Sequence, residues 1–409
     1  MASQAILGPD RAWIPAQSYP SDYFNARHYR SDNGAVQTSR LQHSAIPPDF
    51  PSTIDLPTAW SGADLEYLLE HERHCLQLNQ SQVAELEKAS KAFQENGHPL
   101  EKMSRQNFPL PVLGECLKAL ARELTEGVGF FRVCGLDPKR YSKETNIIIY
   151  LGLTTYIGER RGRQDEHGNM LLHLTDVGHV PDPNNRRQAP YSNVEQPFHT
   201  DTGDTIALYS LGEAHSGGES RLASIATVYN EIAAVKPELI NLLSSPTWAF
   251  DRFGQWPPYV MRPLIYPTPS KKAILSFSRR PLLGNASSPR SSDIPDLPAN
   301  HVEALNAVQF SASRHALSMK LKPGDILVWN NLALMHGRSA FTDSAEDKRH
   351  LIRLWLHNEA TETEFPIPKE LKPQWDDAFE HVGRPQMWPL EPIRDNSYIC
   401  TRQRSSGHA

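Results

Sequence analysis

The sequence predicts an α+β chain in which helices flank a mostly antiparallel β core. Three observations predict it. Helical periodicity dominates the first part of the chain, strand signals dominate from Phe198 onward, and no internal repeat is present in the 409 residues.

Residues 1–58 are rich in Pro, Ser and Asp with little periodicity, and read as an irregular arm. Across 61–97, Leu65, Leu68, Leu69, Leu76, Leu78, Val83, Leu86 and Phe93 recur at helical spacing, which predicts one or two helices. Residues 111–126 form an amphipathic helix closed by Gly127. VGFFRVCG follows as a buried strand, and Ser142 opens a further helix through NIIIYLGLTTYIG. Residues 158–197 are polar and rich in Pro, Asn and Arg, with one strand-like run at 170–174. They read as a long loop able to fold over a site, made positive by Arg160, Arg161, Arg163, Arg186 and Arg187. Strands are expected at 205–211, 220–226, 247–251, 271–278, 324–330 and 349–357. Helices are expected at 227–243, broken by Pro237, and at 299–319, and 281–298 reads as a Pro/Ser-rich connector.

Composition narrows the function. With 39% hydrophobic and 22% charged residues the chain can build a sizeable core. A net charge of -5 and a pI near 6.4 argue against gripping nucleic acid through overall charge. No apolar run approaches the roughly 18 residues needed to span a bilayer. The opening MASQAILGPDRAWIPAQ lacks a basic stretch followed by an apolar one, so no secretory signal is expected. Cys75, Cys116, Cys134 and Cys400 lie far apart without a C-x-x-C pair. A cytoplasmic chain with reduced thiols is the expectation.

The segment Phe198-His199-Thr200-Asp201 carries an H-x-D. On a strand, side chains at i and i+2 share a face, so an imidazole and a carboxylate can reach one metal ion. The pair is weak by itself: with 17 histidines, about one H-x-D arises by chance, and a half-buried strand with a solvated His also fits. A third ligand is available downstream in KPGDILVWNNLALMHGRSAF, where His336 ends a short apolar run. Local context there, with Leu334, Met335 and Gly337 around it, favours a core histidine somewhat over a ligand. Two His and one carboxylate leave open positions that suit non-haem Fe(II). In KRHLIRLWL, Arg349 and Arg353 are an even number apart and share a strand face, with Ile352, Leu354 and Leu356 on the other. Two guanidiniums on one face are costly to bury without an anion, and a dicarboxylate would supply one; salt bridges or exposure at a sheet edge are the alternatives.

Other histidines are weaker candidates. His71 and His74 share a face if 71–75 is helical, and with Cys75 they would still lack a fourth zinc partner. His301-x-Glu303 falls in a predicted helix, where i and i+2 diverge.

Taken together, PYSNVEQPFHTDTGD at 190–204, AHSGGESRLAS at 214–224, PGDILVWNNLALMHGRSAF at 323–341 and KRHLIRLWL at 348–356 resemble the taurine dioxygenase-like (TauD/TfdA) family, closest to its fungal members. The likeness covers roughly residues 120–360. It implies a double-stranded β-helix (jelly-roll) core, at 116–370, with flanking helices. An irregular arm and helical N-terminal extension would occupy 1–115, and a C-terminal extension 371–409. It places His199, Asp201 and His336 on the metal-ligand positions and Arg349 on the anchor for the distal carboxylate of 2-oxoglutarate. Arg353 falls where the family faces substrate or assists that carboxylate. Ser220 stands where the family usually has a cosubstrate-binding Thr, and Phe198 where it often has Trp. Both replacements are expected to keep a hydroxyl donor and an aromatic wall.

The resemblance further implies an Fe(II)/2-oxoglutarate-dependent dioxygenase. Such enzymes couple decarboxylation of 2-oxoglutarate to succinate with dioxygen-driven oxidation of an unactivated carbon. The expected substrate is a small polar or anionic metabolite such as an amino or carboxylic acid, of the kind met in secondary metabolism. The outcome would be hydroxylation, desaturation or ring closure. The alternatives are an iron enzyme on the same fold that does not consume 2-oxoglutarate, and a non-catalytic ligand-binding relative. No nucleic-acid or membrane partner is expected, and the helices of 61–97 offer a surface on which a second copy could pack as a homo-oligomer.

Overall fold

The computed structural model describes residues 46–70, 74–158, 160–178, 188–284, 289–380, 383–395 and Tyr398. The arm at 1–45, His71, Arg186, Arg187 and Cys400 lie outside these residues.

In chain order the elements begin with α1 (Gly62–Glu70), β1 (Cys75–Gln77), α2 (Gln80–Glu95), α3 (Leu113–Glu126), β2 (Phe130–Cys134) and α4 (Lys143–Thr154). Then come β3 (Arg160–Gly162), β4 (Leu172–Thr175), β5 (Gln196–His199), β6 (Thr205–Gly212), β7 (Ser216–Gly217) and β8 (Ser220–Ser224). Two helices follow, α5 (Ile225–Val235) and α6 (Pro237–Ser244), then β9 (Trp248–Asp251), β10 (Tyr259–Arg262), β11 (Ile265–Pro267) and β12 (Ala273–Leu275). The chain continues through α7 (Arg280–Leu283), α8 (Ala299–Arg314), β13 (Leu317–Met319), β14 (Ile326–Asn330), β15 (Leu334–Arg338) and β16 (Phe341–Thr342). It closes with β17 (His350–His357), α9 (Glu359–Glu364) and α10 (Lys372–Phe379).

Local chemistry accounts for several boundaries. The Asn79 side chain accepts from the Gln82 amide while Gln82 Oε1 accepts from the Asn79 amide. This reciprocal cap opens α2 and contributes about 1 kcal/mol. Ser142 caps α4, and Ser224 caps α5 directly from the end of β8. Pro237 ends α5 as expected and becomes the first residue of α6, where its missing N–H costs nothing.

Two sheets face each other. The larger runs β1-β2-β14-β6-β17-β3, with β4 also on β17; the smaller runs β13-β8-β15-β5. All pairings are antiparallel except β1 with β2. One hydrophobic cluster fills the space between the sheets: Leu208, Trp329, Leu351 and Trp355 from the larger, Leu222, Leu317 and Leu334 from the smaller. The two outer faces are covered by helices. Ile352, Leu354 and Leu356 of β17 pack with α2, α3 and α4, whereas Phe198, Ala223 and Met335 pack with α5, α6 and α8. The expected split of β17 into two faces is therefore seen. The C-terminal residues Trp375, Phe379 and Tyr398 join the inter-sheet cluster. Among the described residues, no helix is long and apolar enough to cross a membrane.

Four expectations need correction. Residues 158–197 are not one loop: β3 and β4 both pair with β17. Arg161 is buried and donates to the carbonyls of Met103 and Leu151, and Arg163 donates to Asp377, so both tie elements together. The predicted helix at 299–319 stops at Arg314, because 317–319 finds a ladder partner in β8. Cys75 lies on a strand, not a helix, and forms a disulfide with Cys134, Cα–Cα 6.4 Å, rather than a free thiol. The spacing of 59 residues carried no sign that β1 would lie parallel beside β2. Cys116 is free.

Candidate metal centre and its cavity

β5 ends at His199, and Thr200 is pinned outward: its amide donates to the Phe277 carbonyl (2.9 Å) and its Oγ1 accepts from the Phe277 amide (2.9 Å). Residues 199 and 201 consequently turn to the inner side. His336 lies on β15 directly opposite His199, with ring centroids 4.1 Å apart. Asp201 Oδ1 is 3.8 Å from His199 Nε2 and Oδ2 is 3.6 Å from His336 Nε2. All three candidate ligand atoms lie within 4.8 Å of one another. Among the described residues this is the one group of three or more His, Cys, Asp or Glu so arranged.

The donor set fits a divalent iron ion. His199 Nδ1 is 2.9 Å from the Pro197 carbonyl, which can only accept, so the proton sits on Nδ1 and Nε2 offers its lone pair. Burial holds the His199 imidazole below its ordinary pKa, against the pull of Asp201, which keeps it neutral and able to ligate. Two imidazoles and one carboxylate are the ligand types of the facial triad.

Asp201 is fully buried and its carboxylate is oriented by protein donors. Arg353 Nη1 reaches Oδ2 at 2.7 Å and Trp355 Nε1 at 3.2 Å. Gln164 Oε1 in turn accepts from Arg353 Nε at 2.8 Å. Arg353, expected to meet substrate or cosubstrate, therefore holds the candidate metal carboxylate while its side chain also lines the cavity. Asn331, in the turn between β14 and β15, fixes the backbone around Asp201. Its Oδ1 accepts from the Asp201 amide, and its Nδ2 donates to the carbonyls of Asp201 and Gly203. Asp204 beyond it pairs with His357 Nδ1 at 2.6 Å and accepts from Trp375 Nε1 at 2.7 Å.

A small cavity opens beside His336. It is lined by His336 and Arg338 of β15, Arg349 and Arg353, Ser220 of β8 and Trp329. Ser220 and Arg349 thus come together as the sequence suggested. Arg349 is buried; its Nε donates to the Gly218 carbonyl at 3.2 Å, and among the described residues its Nη1 meets no acceptor. Burial pushes its pKa down to about 10. Gly218 has a φ of +79°, and a Cβ there would lie 2.9 Å from Arg349 Cδ, so this glycine makes room for the arginine. Phe198 does not line the cavity. It packs on the helical side under Arg221, whose guanidinium lies 5.0 Å from the ring, because adjacent strand residues face opposite ways. The aromatic surfaces next to the ligands are instead Trp329, 4.8 Å from His336 between centroids, and Trp355.

Sequence reasoning missed Arg338, Asn331, Gln164 and Trp355. For Arg338 and Trp355 a signal existed: each is two residues from a selected position and shares its strand face. Asn331 and Gln164 sit outside the strands, where no periodicity applies. His301 contacts Thr247 and Asn300, and Glu303 pairs with Lys236, so H-x-E in α8 builds no site.

The sequence profile of the family described as taurine catabolism dioxygenase TauD, TfdA matches residues 94–355. The taurine hydroxylase-like protein SAT17 of Stachybotrys chartarum is 34% identical over 325 residues, which is 77% of this chain and 83% of that protein. Asparagine oxygenase, solved with Fe(II), hydroxyasparagine and succinate, superposes with a TM-score of 0.55 at 16% identity, covering 69% of this chain and 93% of that one. The non-heme iron oxygenase OrfP, solved with Fe and alpha-ketoglutaric acid, superposes with a TM-score of 0.50 at 15% identity over the same shares.

Proposed function

This chain belongs to the TauD, TfdA family and is a non-haem Fe(II)/2-oxoglutarate-dependent dioxygenase, and from that premise we propose that it oxidises a small polar or anionic metabolite, an amino or carboxylic acid, with His199, Asp201 and His336 as the iron ligands. One observation carries the reading: the three donors converge beside a cavity that His336 lines together with a buried guanidinium, Arg349, whose Nη1 meets no acceptor among the described residues.

When bound, the iron supplies oxygen activation driven by decarboxylation of the 2-oxo acid. The chain's own contribution is placement. Arg353 and Trp355 orient Asp201 through Oδ2, and Asn331 holds its backbone. Arg349, with Ser220 beside it, anchors the distal carboxylate of 2-oxoglutarate, where burial strengthens a charge-assisted bond. The substrate class is supported by the charged, hydrogen-bonding cavity lining and by relatives whose names point to taurine and asparagine. Hydroxylation is the proposed outcome. Residues 116–370 form the catalytic domain in this reading, with the helical N-terminal segment and the tail after 370 packed onto it.

The test is an anaerobic titration of metal-free protein with Fe(II) and 2-oxoglutarate. A visible charge-transfer band that needs both components and is lost in Asp201→Ala supports the reading, after which candidate acids are screened by succinate release. Tight iron binding without a band would favour an iron enzyme that does not consume 2-oxoglutarate.

A further inference from the structure

We propose that Arg338 supplies a second guanidinium to the distal carboxylate of the 2-oxo diacid, beside Arg349; this rests on the reading that Arg349 anchors that carboxylate. Arg338 stands two residues after His336 on β15 and shares its face, so the two side chains start about 6.8 Å apart along the strand. That span is comparable with the length of a five-carbon diacid chelated at one end. Arg338 pairs in register with Ser220, and Arg338, Ser220 and Arg349 line the same cavity.

The charge arrangement is unusual for a protein interior. Arg338 and Arg349 are both buried and lie over the same ring, their guanidinium carbons 4.8 and 5.4 Å from the Phe341 centroid. Among the described residues neither has a carboxylate within ion-pair distance. Arg338 Nη2 donates to the carbonyls of Ser192 and Val194, which fixes the plane of the guanidinium, while among the described residues Nε meets no acceptor. Two adjacent buried cations with unmet donors are destabilising by themselves and are explained by an anion that both recognise. A purely structural arginine would need only the two carbonyl bonds.

The experiment compares two ligands on Mn(II)-loaded protein by isothermal titration calorimetry: 2-oxoglutarate, and 2-oxobutanoate, which keeps the chelating 2-oxo acid and lacks the distal carboxylate. Arg338→Gln should weaken 2-oxoglutarate about tenfold or more and change 2-oxobutanoate by less than about twofold. Arg338→Lys, which keeps the charge and the fold, should fall between wild type and Arg338→Gln. An equal loss for both ligands, or no loss for either, overturns the proposal. Arg349→Gln is the separate control. If it weakens 2-oxoglutarate while Arg338→Gln does not, the anchor reading stands and only the proposal falls. If Arg349→Gln leaves 2-oxoglutarate unaffected, the anchor reading falls and takes the proposal with it.

Discussion

The two sides of the cavity solve opposite electrostatic problems. Around Asp201 every charge is met within the protein: Arg353 and Trp355 bind the carboxylate, Gln164 binds Arg353, and Asn331 holds the backbone. Around Arg349 two buried guanidiniums sit together, and among the described residues Arg349 Nη1 and Arg338 Nε find no partner. The metal side is therefore preorganised, and the arginine side is completed by what binds. The layers behind them differ too. A charged pair, His357 with Asp204, backs the metal side. A pair of histidines, His173 and His350 at 2.8 Å, joins β4 to β17 at the residue that follows Arg349 in sequence.

The largest effect is expected where compensation is complete. Asp201→Ala removes a candidate ligand and leaves Arg353 buried without its carboxylate. Activity should fall to background by succinate release, and stability in urea should drop by about 3–5 kcal/mol. Retained iron-dependent turnover would show that the ligand lies elsewhere. Arg349→Met should act differently. The half-saturating 2-oxoglutarate concentration should rise about 10- to 100-fold, as expected for losing charge-assisted bonds, with turnover at saturation largely kept. The ligand-free protein should be no less stable than wild type, because an uncompensated buried cation is gone. A large loss of ligand-free stability would mean that Arg349 is structurally paired after all.

Asn331→Ala sharpens the contrast by leaving all charges in place. Iron affinity should weaken about 10- to 100-fold, as for other residues that orient a ligand, with the 2-oxoglutarate requirement less affected; equilibrium dialysis against Fe(II) under argon reads it. The smallest effects are in pH dependence, and the two sides should have opposite signs. The hydrogen bond to Asp204 raises the His357 pKa above the usual 6.5. The folded state binds that proton more tightly, so this contribution is complete below 6.5 and is lost as pH rises through the folded value. His350 is pushed down to about 3, chiefly by burial. The unfolded state takes that proton first, so stability is lost as pH falls from 6.5 towards about 3. Thermal unfolding across pH should show His357→Gln flattening the alkaline limb and His350→Gln the acid limb. Matching limbs in both variants would refute the pairing of each histidine with its side.

Much of this was legible from period-two alternation. Arg349, just before β17, and Arg353 on it share a face with Ile352 and Leu354 opposite, because strand parity is a local property, whereas the meeting of His336 with the H-x-D across the small sheet was expected only from the family resemblance. What was not legible depends on which segment lies beside which. The pairing of Cys75 with Cys134, the recruitment of 160–162 and 172–175 to β17, and the strand at 317–319 are set by partners distant in sequence. The role of Arg353 escaped for a subtler reason. Its face was read correctly, but a face contains both the ligand carboxylate and the cavity, and only coordinates separate a 2.7 Å contact with Asp201 from a contact with a bound acid.

β17 is paired along its length with β6 on one side and with β4 and then β3 on the other. Trp355 lies on it, Arg353 lies on it, and Arg349 immediately precedes it. In a deuterium-labelling experiment its amides should be among the slowest in the chain to exchange, since releasing them requires both flanking ladders to open. The strand then works as a ruler. The separation between the cosubstrate anchor and the group that aims Asp201 is set by four residues of backbone, about 13 Å, and thermal opening elsewhere in the chain leaves that interval unchanged.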